Sequence, residues 1–162
     1  MANIKVAYGP ETTLTVTSLQ SLASSPTAGW QSDVVDNTSD LYLDALVQVV
    51  LDFANTAPGS DKAAYVYAYG GLSTVYTNPV TGTQGTITLT TIVSTQQNLK
   101  LIGVLAYTTQ DEVVESQPCS VAAAFGGILP PKWGLVIMNY SGAALAASGN
   151  TVKWRGVYST QV

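Results

Sequence analysis

Every second residue of the segment 41–53 is apolar without interruption, and this periodicity limits the fold more than any other feature. At a period of two, one face carries Leu41, Leu43, Ala45, Val47, Val49, Leu51 and Phe53. A helix is the alternative, because polar side chains also recur every four residues, at Asp40, Asp44, Gln48 and Asp52. The β-branched valines and the unbroken apolar row favour one long strand.

Other strand-like segments recur along the chain, separated by turn-forming Gly, Pro, Ser and Asn residues. The pattern predicts strands at residues 4–8, 13–19, 30–35, 63–69, 86–93, 99–107, 119–125, 133–140 and 151–158, a loop at 76–85, and a loop or a single helical turn at 109–117. With no internal repeat and no linker, residues 1–162 are expected to form one domain. Two packed sheets are the usual arrangement for so many strands, and the spacing Cys–Trp–Cys of antibody domains is absent. The chain is therefore predicted to be all-β, a single-domain antiparallel β-sandwich of the jelly-roll type.

Composition argues against several kinds of chemistry. The chain contains no histidine and a single cysteine, so a histidine-assisted nucleophile, an internal disulfide and a cysteine-based zinc site are excluded. Six scattered Lys and Arg residues and a net charge of −4 disfavour nucleic-acid binding. No apolar run is long enough to span a membrane, and the first residues lack a signal-peptide pattern, so synthesis in a cytoplasm is expected. We expect no enzymatic activity and no cofactor.

Two groups of acidic residues are candidate sites. Asp33, Asp36, Asp40 and Asp44 lie close together in the sequence, but their spacing does not match a calcium-binding EF-hand, and Asp and Asn also form turns. Asp111, Glu112 and Glu115 offer the residue type of a glycosidase, yet neighbours on one polar loop seldom reach the required separation. We predict turn and loop roles for both groups, with no metal ligand and no catalytic residue. Cys119, without a basic neighbour, is interpreted as a buried, inert thiol.

Tyr65, Tyr67 and Tyr69 alternate with smaller residues, so their rings are expected on one face of one strand. Tyrosine combines a broad apolar ring with a polar hydroxyl. The row therefore has three interpretations: packing within the sheet, an interface with another subunit, or a platform that stacks against sugars.

A strand near the carboxyl end is expected to be part of the core. Trp154 shares a face with Val152, Gly156 and Tyr158, whereas Lys153 and Arg155 point the other way. Because the two charges lie on one face, the Trp154 face is predicted to be buried.

Two passages carry a family resemblance. The first runs from Trp30 through Asp40 and the long predicted strand to the tyrosine row, and the second comprises residues 131–142 and 151–158. Together they resemble jelly-roll virion proteins of tailed bacteriophages, in particular the head decoration or cement proteins. The resemblance implies a protein on the outer capsid surface that contacts the major capsid protein and assembles as a dimer or trimer. It implies no active site.

These observations predict a non-enzymatic structural protein of a virion, made in the host cytoplasm. Only 10% of the residues are charged, which leaves apolar surface exposed in a monomer and favours self-association. The alternative is a carbohydrate-binding or receptor-binding β-sandwich module, as in a tail or fibre tip, which the tyrosine row and the Trp residues suggest. An enzyme that uses carboxylates alone is the least favoured hypothesis.

Overall fold

The computed structural model describes residues 3–59, 63–73, 79–89 and 99–161. Within these ranges the chain forms two antiparallel sheets of six strands each, packed face to face. The strands are β1 (Ile4–Tyr8), β2 (Thr12–Thr13), β3 (Ala28–Gln31), β4 (Val35–Asp36), β5 (Asp44–Asp52), β6 (Ala63–Gly71), β7 (Gly85–Thr88), β8 (Lys100–Ala106), β9 (Val113–Glu115), β10 (Cys119–Ser120), β11 (Lys132–Tyr140) and β12 (Thr151–Gln161). Two short 3-10 helices span Thr17–Leu19 and Ala122–Phe125.

The strand order is that of a jelly roll. Sheet I has the order β1-β12-β5-β10, with β2 also beside β12 and β9 also beside β5. Sheet II has the order β7-β3-β11-β6-β8, with β4 also beside β11. Three pairs of short strands each lie along one side of a longer strand and act as a single interrupted strand. They are β1 and β2 beside β12, β3 and β4 beside β11, and β9 and β10 beside β5. Nine strands remain, of which β7 is an additional edge strand beside β3. The other eight, numbered in chain order, have the orders 1-8-3-6 and 2-7-4-5, and the predicted jelly-roll sandwich is confirmed.

The core lies between the sheets and uses the predicted alternation of β5. Ala45, Val47, Val49, Leu51 and Phe53 are buried, and they pack with inward side chains of β6, β11 and β12. The strand predicted at residues 41–53 is thus confirmed over most of its length, from Asp44 to Asp52. Its first part differs, because Leu41 has a φ of 53° and is 71% exposed, as the chain turns there before β5 begins.

Sheet II is covered on its outer face as well. Val80, Ile87 and Leu89 form a second buried cluster with Tyr69 and Val136, on the side of the sheet opposite the main core. Because both faces of β11 are covered, residues 133–137 are all buried. The same segment reads in the sequence as a continuous apolar run and not as an alternation.

Several predicted elements differ from the structure. The strand predicted at residues 13–19 is a two-residue strand followed by the 3-10 helix Thr17–Leu19, which places Leu19 in the core. The strand predicted at 119–125 becomes a helix after β10, because the backbone N–H of Ala122 donates to Asp44 and Gly126 ends the turn at a φ of 78°. Residues 109–117, predicted as a loop or a single helical turn, contain the strand β9. Parts of the segments 76–85 and 86–93 lie outside the described residues.

The described ranges hold no helix of the length and hydropathy needed to cross a membrane.

Candidate binding surfaces

The tyrosine row is divided between two environments. Tyr69 is 2% exposed, its hydroxyl donates to the Ser32 carbonyl at 3.0 Å, and its ring lies over Gly134 on β11, where no side chain competes for the space. Tyr65 and Tyr67 are half-buried on the same face, and burial raises the pKa of Tyr67, with a further contribution from Tyr65. Tyr69 therefore serves packing, whereas an interface role stays a prediction for Tyr65 and Tyr67.

The acidic group of residues 33–44 does not converge on one point. Asp36 forms an ion pair with Lys132 and accepts hydrogen bonds from Thr38, and both interactions hold the pKa of its carboxyl well below its usual range. Asp33 accepts instead from the Gln84 N–H, and Asp44 from Ser120 and Ala122. No group of three or more His, Cys, Asp or Glu side chains among the described residues is placed to hold a metal ion.

In the second acidic group, Asp111, Glu112 and Glu115, the Glu112 side chain stabilises its own loop. The Glu112 carboxylate accepts the backbone N–H groups of Thr108 and Thr109 at 3.1 and 3.0 Å, and these hydrogen bonds lower its pKa. Glu115 lies in β9 opposite Val50, on a different element from that loop.

Cys119 is half-buried, and its thiol donates to the Gln117 carbonyl at 3.3 Å. Burial raises the pKa of this thiol, which keeps it in the weakly nucleophilic protonated form. The predicted full burial is thus only partial, but the thiol has the electrostatic environment expected of an unreactive cysteine.

Two strands extend beyond the body of the sandwich. The pairing of β12 with β5 ends at Val157, opposite Asp44, whereas β12 continues to Gln161 paired with β1 alone. We call residues 4–8 and 157–161 the terminal ribbon. Its outward row is apolar, with Ile4, Val6 and Tyr8 exposed by 79%, 65% and 57%.

A concave surface lies at the base of the terminal ribbon. It encloses about 550 Å³, and its apolar wall is formed by Pro10, Leu41, Leu43 and Tyr158. Leu43 is exposed because its backbone pairs with Val157 at the last rung of the sheet, beyond which no described strand covers it. Tyr158 lies opposite Ala7, so it points to the other side of the ribbon from the exposed row of Ile4, Val6 and Tyr8.

An open groove crosses the outer face of sheet I. We call it the sheet I groove; it encloses about 420 Å³ and is lined by Tyr8, Glu11, Leu46, Gln48, Lys153 and Arg155, with Pro118 at the far wall. The register places Gln48 directly opposite Lys153, and Leu46 opposite Arg155, so that all four point outward from β5 and β12. Glu11 contacts both cations, at 2.9 Å from Lys153 and 3.9 Å from Arg155.

Neither surface follows from the sequence pattern alone. The sheet I groove joins residues from β5 and β12 with the segment between β1 and β2, which lie far apart in the chain. The alternation of residues 4–8 is the one signal that could have pointed to the ribbon, but the same pattern is typical of any half-buried strand. Comparisons with protein-family models, with curated proteins and with solved structures found no match.

Proposed function

We propose that the chain is a non-enzymatic structural virion protein, a decoration or cement protein that binds the major capsid protein on the outer surface of a phage head. The observation that carries this proposal is the terminal ribbon, with its exposed apolar row of Ile4, Val6 and Tyr8. The jelly-roll topology and the resemblance of residues 30–69, 131–142 and 151–158 support it.

The ribbon has the physical properties of a docking element. A two-stranded antiparallel ribbon is marginally stable in water, and a third strand or a packed apolar surface stabilises it. Beyond Val157, one edge of β12 pairs with no described residue, and its N–H and C=O groups can accept a strand of a partner. Binding of the ribbon to a partner would cover the apolar row and give hydrogen-bond partners to the backbone groups at the open edge of β12.

The proposal involves neither catalysis nor a cofactor. The chain has no histidine, and the carboxylates of the two acidic groups accept hydrogen bonds from separate partners. The net charge of −4 fits an outer shell better than contact with packaged DNA.

Val6→Asp is expected to abolish attachment to phage heads and to leave the fold intact, because the side chain is exposed but central to the apolar row. Val104→Asp is the matched control, since Val104 is 53% exposed on β8, the edge strand of sheet II. Heads from the phage that encodes the chain, lacking their own copy, are incubated with each variant and sedimented, and bound protein is quantified.

Attachment by wild type and Val104→Asp but not by Val6→Asp would support the proposal. Val104 pairs with Tyr65, so loss of attachment only in Val104→Asp would assign docking to the tyrosine row and overturn the role of the ribbon. No attachment of the wild-type chain would reject the decoration function itself.

Self-association is expected in solution, as a dimer or trimer, because the apolar row of the terminal ribbon and the apolar wall of the concave surface are both exposed in a monomer. Light scattering at micromolar concentration should give a mass two or three times the 16.9 kDa of one chain. A monomer that persists at high concentration would contradict self-association without affecting capsid docking.

The alternative function is that of a carbohydrate-binding or receptor-binding module. Burial of Tyr69 leaves the tyrosine row with two half-buried rings, which weakens the row as a sugar platform. The observation that favours this function is a different one, the sheet I groove.

A further inference from the structure

The sheet I groove concentrates positive charge on an acidic protein. The whole chain has six Lys and Arg residues and a net charge of −4, yet Lys153 and Arg155 occupy neighbouring outward positions of β12 in this one groove. With Glu11 the three ionised groups of the groove sum to +1. Both cationic side chains are about half exposed, at 44% and 50%, so a ligand in the groove can reach them.

The cations are held in place by the protein. Glu11 bridges the Lys153 ammonium and the Arg155 guanidinium, and Arg155 also donates to the Gly9 carbonyl at 3.2 Å. Lys153 and Arg155 lower the pKa of Glu11, which therefore remains ionised. Within the described residues, one Arg155 N–H donates to the Gly9 carbonyl and the Glu11 contact at 3.9 Å is an ion pair without a hydrogen bond, whereas the guanidinium has five N–H donors in all. Two of the remaining N–H groups can donate in parallel to the two oxygens of a ligand carboxylate.

The rest of the groove is suited to a sugar ring. Gln48 lies on the floor opposite Lys153, and its side-chain amide forms no hydrogen bond with the described part of the chain, so that its donor and acceptor can both serve hydroxyl groups. The Tyr8 ring stands at one wall, and Leu46 and Pro118 supply apolar contact. An apolar wall beside a few fixed polar groups is typical of small-ligand sites, and a volume of about 420 Å³ lies in their usual range.

We propose that the sheet I groove binds a short acidic saccharide, with the carboxylate of a uronic acid unit on Arg155 and Lys153, and the ring hydroxyls on Gln48 and Glu11. The tyrosine ring of Tyr8 covers the apolar face of the sugar. The groove shares Tyr8 with the terminal ribbon, to which the proposed function assigns capsid docking, but its charged and amide groups lie outside the ribbon. An extended nucleic acid would need more cations than these two, whereas a single carboxylate does not.

The test is a titration of the full chain with trigalacturonate, in which calorimetry measures the affinity and NMR amide chemical shifts locate the binding site. Saturable binding is expected, with the largest shifts in β5 and β12. Arg155→Gln and Lys153→Gln should each weaken binding about tenfold or more, because each removes a charge-assisted hydrogen bond. Lys100→Gln is the matched control, since Lys100 is an exposed lysine on β8 of sheet II, and it should change the affinity less than twofold.

Two further measurements separate a built site from simple attraction between charges. Gln48→Leu preserves every charge of the groove and should still weaken binding severalfold, and maltotriose, which lacks a carboxylate, should bind far more weakly than trigalacturonate. Equal affinity of the two sugars, no effect of Gln48→Leu, or no saturation at millimolar trigalacturonate would each overturn the proposal. Val6→Asp should bind trigalacturonate as the wild-type chain does, so failure of the saccharide site and failure of ribbon docking are distinguishable.

Discussion

Trp154→Ala is expected to lower the free energy of unfolding by about 3–5 kcal/mol, a large part of the roughly 5–15 kcal/mol that stabilises a small domain. The indole is 8% exposed on the inner face of β12, and it packs edge-on against Trp133 with ring centroids 5.2 Å apart and against Tyr42 at 6.0 Å. Truncation would leave a cavity between the sheets and remove both aromatic contacts. Urea unfolding followed by circular dichroism measures the loss.

Lys153→Ala is the control for this prediction, because it alters the next residue of the same strand. The Lys153 side chain points outward and forms an exposed ion pair with Glu11, which is a weak contribution to stability. We expect a change below about 0.5 kcal/mol. If Trp154→Ala kept full stability and instead lost attachment to the capsid, Trp154 would be an interface residue and the assignment of faces would be wrong.

The buried face of β12 was predictable because charge and alternation agree in the sequence. Lys153 and Arg155 mark the outer face, and the structure buries Val152, Trp154 and Gly156 as predicted. Tyr158, predicted on the same buried face, is 37% exposed, because the pairing of β12 with β5 ends at Val157. The same reasoning placed the long alternating strand in the core. Where one face of a strand is apolar and the other polar, a shift of one residue would expose the whole apolar row, so the sequence defines the register.

Other parts of the fold depend on partners that are distant in the chain. Nothing local in residues 41–43 indicates that β5 begins only at Asp44, since the apolar alternation continues through Leu41 and Leu43. Their exposure results from the end of the pairing with β12. The burial of Tyr69 likewise depends on Val80, Ile87 and Leu89, which cluster with it on the outer face of sheet II. Local periodicity contains no information about such coverage.

The candidate surfaces were harder to predict than the fold for the same reason. Lys153 and Arg155 read in the sequence as a solvated face, and only the register with β5 places Gln48 beside them. Glu11 joins this cluster from the segment between β1 and β2. A pattern of charged residues therefore indicates which side of a strand faces water. Prediction of a groove also requires the strand order of the sheet, which the local pattern does not give.

Asn139→Asp is expected to destabilise the protein by about 3–5 kcal/mol at neutral pH, although the two side chains have nearly the same shape. Asn139 is fully buried, and its Nδ2 donates to the carbonyls of Leu22 and Ala143 at 3.0 and 2.8 Å. Its Oδ1 accepts from the Ser141 hydroxyl at 2.7 Å. A carboxylate would satisfy the serine but would place a second, charged acceptor against two carbonyl oxygens in a site that excludes water.

The matched control is Asn55→Asp, because Asn55 is exposed and its Oδ1 accepts from Gln110, which a carboxylate can do equally well. This change should alter stability by no more than about 0.5 kcal/mol. Urea unfolding of both variants and the wild-type chain at pH 7 measures the difference. Equal stability of the two variants would show that the site of Asn139 tolerates charge, and would contradict the dry, fully bonded environment described above.

Acidification should recover much of the stability lost in Asn139→Asp. Burial and the two carbonyl oxygens raise the pKa of the introduced carboxyl in the folded state above its unfolded value of about 3.9. Between these two pKa values the folded state binds the additional proton, so the free energy of unfolding of the variant rises relative to wild type as the pH falls. The protonated acid can donate to one of the carbonyls that Asn139 serves in the wild-type chain, to Leu22 or Ala143. A gap between variant and wild type that stayed constant from pH 7 to about pH 4 would contradict this mechanism, because a loss that came from shape alone would not titrate.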